Sequence, residues 1–161
     1  MMKFVIRLVL GSVLLAVPVM AQNTASSSAD TNAEILIQKI KADKKLLVAG
    51  NMDLSDAEAK QFWPLYEDYQ KELEQTNQRI GKTIMEYAVA FNKGPIPNET
   101  AKKLLDEVLV IEEAEAKTKR AYADKVAKVL PAAKTVRYIQ IETKIRALLR
   151  AELAKRIPLA Y

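Results

Sequence analysis

The sequence predicts an all-α fold: an elongated antiparallel hairpin of two long helices, with shorter helices flanking it. Three observations carry this. Apolar residues recur at steps of three and four over long stretches. Helix-start and helix-stop residues divide those stretches into four. No run alternates with the period of two that a half-buried strand requires.

Residues 1–21 read as a signal peptide. Met1-Met2-Lys3-Phe4-Val5-Ile6-Arg7 is a short basic region, Leu8 to Val17 an apolar core, and Val19-Met20-Ala21 a small-residue site with cleavage after Ala21. From Leu8 to Met20 there are 13 residues, broken by Gly11 and Pro18, whereas a membrane-spanning helix needs roughly 20. No cysteine stands at the cleavage position for lipidation. The mature protein is therefore expected to be exported and soluble. Residues 22–32 (QNTASSSADTN) are small and polar, cannot bury enough apolar area to offset chain entropy, and predict a disordered leader.

One helical domain is expected over residues 33–157, followed by a tail over 158–161. The first helix starts near Ala33, carries Ile35, Leu36, Ile37, Ile40, Leu46, Leu47 and Val48, and stops at Gly50-Asn51. A second start is marked by Ser55 and Glu58, a capping box in which hydroxyl and carboxylate each satisfy an orphan amide. The long helix after it has the seam Phe62, Tyr66, Tyr69, Leu73, Thr76, Ile80, Ile84, Tyr87, Phe91, and Pro64 predicts a bend in its first three turns. Asn92-Lys93-Gly94-Pro95 ends it.

Asn98 is positioned to cap a third helix with the seam Ala101, Leu104, Leu105, Val108, Ile111, Tyr122, Val126 and Val129. Pro131 suits the first position of a fourth helix running to about Arg156, before Pro158 stops it. On that helix Val136, Ile139 and Thr143 share one face, and Ile141, Ile145, Leu148 and Leu149 another, so one face can pack internally while the other meets a partner.

The short connection between helices two and three makes them antiparallel, turning near residue 95, with residues near 75 opposite residues near 115. Both stretches are polar: Leu73 is the sole large apolar residue from Gln70 to Arg79, and there is none from Glu112 to Ala121. A weakly packed waist is expected there, with ion pairs such as Glu72 or Glu74 against Lys117 or Lys119, each worth under about 1 kcal/mol when exposed.

Composition narrows the chemistry. Histidine and cysteine are both absent, which removes the usual zinc ligands, thiol chemistry and every imidazole-dependent triad. Glu107, Glu112, Glu113 and Glu115 lie in a Lys-rich helix and read as solvated charges rather than an acid/base pair. Asn51-x-Asp53-x-Ser55 opens like a calcium loop, but Asp56 stands where glycine is needed and Phe62 where the bidentate glutamate belongs. No catalytic residue, metal or cofactor is expected. Removing Lys3 and Arg7 with the signal peptide lowers the formal charge from +5 to +3, too diffuse an excess for nucleic acid.

Two segments resemble a known family: Leu54-Ser55-Asp56-Ala57-Glu58 and Leu130-Pro131-Ala132-Ala133-Lys134 are similar to the paired Leu-Thr-x-x-Gln motifs of the Spy/CpxP group of periplasmic stress proteins. Glu58, Pro131 and Lys134 depart from that pattern. The resemblance implies a cysteine-poor helical hairpin, a cradle-shaped antiparallel dimer, and chaperone activity without ATP. In some members it also implies regulation of an envelope stress sensor.

The expected function is therefore that of a non-enzymatic holdase for exposed apolar segments of unfolded or envelope proteins. The alternative is a dedicated interaction partner or regulator of an envelope sensor. Phe62, Trp63, Tyr66 and Tyr69, with Ile141, Ile145 and Leu148, are the candidate client or homodimer contacts, because aromatic residues dominate interface energetics. Phe62 to Tyr69 has a second reading as an elbow packed on helices one and four. Contact with a membrane is not expected, although Lys134, Arg137, Lys144, Arg146 and Arg150 would be the segment to make it.

Overall fold

The computed structural model describes residues 28–160 and contains four helices: α1 (Ser28–Met52), α2 (Asp56–Asn92), α3 (Asn98–Val126) and α4 (Ala132–Ala154). The expected signal peptide, its cleavage point at Ala21, and residues 22–27 lie outside the described residues. The described residues form no strand, and no helix among them is long and apolar enough to cross a membrane. At 37 residues, α2 is the longest element, about 55 Å at 1.5 Å per residue.

α1 starts five residues before the expected Ala33, so 28–32 are helical. It is two helical segments joined at Asp43, which has extended backbone (φ −160°, ψ 94°). There the Asp43 carboxylate accepts a hydrogen bond from the Leu46 amide at 2.9 Å, giving the second segment its own N-cap. The helix also runs past the expected stop at Gly50-Asn51. Val48 and Met52, one turn apart, are both fully buried, and that burial outweighs the cost of a glycine in the last turn. The left-handed residue that ends α1 is Asp53, at φ 47°.

α2 begins as expected. The Glu58 amide donates to Ser55 Oγ at 3.4 Å, and the Ser55 amide donates to Glu58 Oε2 at 2.8 Å. The helix runs continuously through Pro64 to Asn92. Phe62, Tyr66, Tyr69 and Leu73 are buried, whereas farther along Thr83 and Ala88 are the buried residues and Ile80, Ile84, Tyr87 and Phe91 are only half-buried. Gly94 makes the following turn at φ 121°, a backbone position that favours glycine.

Pro97, not Asn98, is the N-cap of α3, and no side chain caps it. The Pro97 carbonyl accepts from the Ala101 amide at 2.9 Å. Pro131 likewise stands one place before α4 as its N-cap.

Contacts fix how the helices lie. Tyr69 meets Tyr122 with ring centroids 5.0 Å apart, Arg79 meets Glu107 at 2.9 Å, and Glu86 meets Lys103 at 3.9 Å, so α2 and α3 pair in opposite chain directions. α1 packs on α4, where Lys44 reaches Glu142 at 2.7 Å and Lys134 donates to the Asp53 carbonyl at 2.7 Å.

The core gathers where the end of α1, the first half of α2, the last turns of α3 and the first half of α4 meet. Val48, Met52, Phe62, Tyr66, Tyr69, Leu73, Tyr122, Val126, Leu130 and Tyr138 form one cluster. The two motif segments come together at its edge: Leu130 is buried, Leu54 packs against the cluster, and Lys134 Nζ lies 2.6 Å from Glu58 Oε2. Beyond them, buried Phe62, Tyr66 and Tyr69 are matched by buried Tyr138, Glu142 and Ile145 at one constant offset along the chain, so α2 and α4 present the same pattern to a shared core.

Candidate binding site

Three of the four aromatic contacts singled out in the sequence, Phe62, Tyr66 and Tyr69, are core residues. Phe62, Tyr66, Tyr69 and Ile145 are buried, and Phe62 stacks edge-on against Tyr138 at 4.9 Å. Trp63, Ile141 and Leu148 are half-buried, with Trp63 and Ile141 packed on the same cluster and Lys45 lying 5.2 Å above the Trp63 ring. Phe62, Trp63, Tyr66 and Tyr69 thus lie in or against a cluster that includes Val48 and Met52 of α1 and Tyr138 of α4. While the chain holds this packing, the side chains of Phe62, Tyr66, Tyr69 and Ile145 are covered by other residues of the chain.

At the expected waist, α4 closes over the polar stretches of α2 and α3. Arg146 grips Glu115 with two bonds (Nε to Oε1 2.8 Å, Nη2 to Oε2 2.6 Å) and donates to Asn77 Oδ1 at 2.6 Å. Arg150 adds Nη2 to Glu115 Oε2 at 2.9 Å and a looser contact to Glu112 at 3.5 Å. These bonds replace the expected pairs: among the described residues Glu72 and Glu74 form no ion pair with Lys117 or Lys119. Burial alone would push the Glu115 carboxyl up, but the hydrogen bonds and charges of Arg146 and Arg150 outweigh it and hold it below the usual carboxylate range.

One side of this belt is a polar cavity of about 450 Å³. At its floor the buried Glu142 carboxylate binds Lys44 Nζ at 2.7 Å and accepts from Gln70 Nε2 at 3.2 Å. Burial first, and the Glu142 charge second, push the Tyr66, Tyr69 and Tyr138 hydroxyls well above their ordinary value, so all three stay neutral. The Tyr138 hydroxyl is buried with no well-formed hydrogen bond, although Glu142 lies close enough to act on it.

The other side is an apolar groove of about 570 Å³. Ile80 and Ile84 of α2, Val108 and Ile111 of α3, and Leu149 and Leu153 of α4 line it. Ile157 closes its far end, where the Tyr87 hydroxyl donates to the Pro158 carbonyl at 2.8 Å and holds the chain against α2. Gly81 opens the α2 wall, since a Cβ there would meet nothing within 4 Å. Groove and polar cavity share Asn77, Arg146, Leu149 and Arg150, and so form one trough between three helices, apolar at one end and charged at the other.

Outside the groove the apolar surface continues. Leu105 is 58% exposed and Leu109 48%, one turn apart on α3, with Met85 and Val89 also exposed on α2. The sequence counted Leu105 in the inward seam, because a run of Leu104, Leu105, Val108, Leu109, Val110 and Ile111 is apolar on more than one face. That excess was the legible signal of a surface here. No cluster of three metal-ligating side chains forms among the described residues. The chain matches no family model, no curated protein and no solved structure.

Proposed function

We propose that the protein is an exported, periplasmic, non-enzymatic helical binding protein that shields exposed apolar segments of unfolded or envelope proteins without ATP. In this reading α2 and α3 are an elongated antiparallel hairpin, and two copies form a cradle. The observation that supports it best is the apolar trough together with the Leu105–Leu109 stripe. Such surface is unusual to leave in water, and apolar patches rimmed by charge mark interaction sites. The net positive charge of the chain adds long-range attraction for acidic clients, which salt weakens without abolishing.

The test is light scattering of three unrelated aggregating proteins, without nucleotide, titrated with the purified protein. Suppression of all three at near-stoichiometric ratios is expected. The double variant Leu105→Lys, Leu109→Glu changes only exposed side chains, so it should keep the wild-type far-UV circular dichroism and lose most of the protection. Protection of none of the three would overturn the holdase reading and leave a dedicated partner, to be sought by crosslinking from position 105.

A further inference from the structure

We propose that the trough is also a binding site for a single-chain amphiphile with a carboxylate head, in chemical class a long-chain fatty acid. The groove wall is aliphatic: Ile80, Ile84, Val108, Ile111, Leu149 and Leu153 supply methyl and methylene surface with no preferred ring-stacking geometry. At about 570 Å³ it falls within the roughly 300–1,000 Å³ of small-molecule sites. An acyl chain fits such a wall because it gains by burial alone and leaves no backbone amides to be satisfied, as an inserted peptide segment would.

The head group is placed by the belt. An acyl chain in the groove brings its polar end to Arg146 and Arg150, the arginines shared with the polar cavity. Arg146 is committed to Glu115 and Asn77. Arg150 is 44% exposed; its Nη2 is bound to Glu115 at 2.9 Å, but its Nη1 meets Glu112 only at 3.5 Å, so that Nη1 edge of the guanidinium can turn to an incoming carboxylate. Lys119, on the wall of the polar cavity, has no ion-pair partner among the described residues and adds a second positive charge on the same side. Arg150 is the specificity residue of the site, since it separates a carboxylate from an uncharged head on the same chain.

This site shares its groove with the client reading but does not depend on it: a protein that suppresses no aggregation can still bind the amphiphile, and the reverse. The experiment is fluorescence titration of the protein with cis-parinaric acid, followed by displacement with palmitate and with hexadecanol. Saturable binding at one site per chain is expected, with palmitate the better competitor. Gly81→Leu sets its Cβ where nothing lies within 4 Å and extends its remaining carbons from the α2 wall of the groove, so it should weaken binding by roughly tenfold or more while the thermal midpoint holds. Arg150→Gln should weaken palmitate several-fold and leave hexadecanol unchanged. No saturable binding by the wild-type protein, or binding that Gly81→Leu leaves intact, overturns the site; a palmitate preference that Arg150→Gln leaves intact overturns the role of Arg150.

Discussion

Glu142 is an anomaly at the level of the single residue. It occupies the α4 position that corresponds to Tyr66 on α2, is only 3% exposed, and shares its surroundings with three tyrosines. Lys44 and Gln70 are what make that tolerable, through bonds of 2.7 and 3.2 Å. A buried pair contributes little net stability when intact but is costly to break by half. Lys44→Met should therefore destabilise the protein by about 3 kcal/mol, because the carboxylate stays behind unpaired. Adding Glu142→Leu to that variant should recover most of the loss. Urea denaturation of the two single variants and the double variant gives the coupling. Additive losses would show that Lys44 and Glu142 act separately. Neither residue was legible as core in the sequence, because a lysine and a glutamate 98 positions apart give no periodic signal, and their pairing depends on α1 lying against α4.

Among the elements, local signals read well and boundaries set by burial read poorly. The Ser55–Glu58 box starts α2 where four adjacent residues place it, since capping uses only local atoms. Ser55→Ala should cost about 1 kcal/mol, measured as a lower urea midpoint with unchanged slope. Lys134→Met should add to it less than independently, because Lys134 holds the same Glu58 carboxylate that completes the box. The end of α1 was misplaced at Gly50-Asn51 because the reason to continue is Met52 reaching a core formed by three other helices. The Asp43 break was legible in principle: an aspartate three places before Leu46 is an N-cap pattern, here hidden inside a run of apolar and lysine residues. On α4 two apolar faces were expected, and the buried line is instead Thr135, Tyr138, Glu142 and Ile145. The helix has polar residues at core positions and Val136 at an exposed one, so its pattern does not report its orientation. The trough was invisible for the same reason, since three helices must be placed before Ile84, Val108 and Leu153 share a wall.

For the whole molecule, three carboxylates tie stability to pH. Glu58 is lowered by its hydrogen bond from Lys134 and by the Ser55 amide, Glu67 by Lys45, and Glu115 by Arg146 and Arg150 acting against its burial. A group whose folded pKa lies below its unfolded value binds its proton more weakly in the folded state. Its contribution is therefore complete above the ordinary carboxylate pKa of about 4.3 and is lost as pH falls through the depressed folded value. These bonds join α1 to α2, α2 to α4 and α3 to α4, so the loss is felt by the assembly of helices rather than by one of them. The urea midpoint should be flat from neutral pH down to about 5 and fall steeply below the ordinary carboxylate range. Glu115→Gln tests the share of the belt: its midpoint should lie below that of the wild-type protein at pH 7, and the two should converge as acid protonates Glu115. A gap between them that stays constant with pH would mean that Glu115 supports the fold through packing, with the charge of Arg146 and Arg150 answered elsewhere.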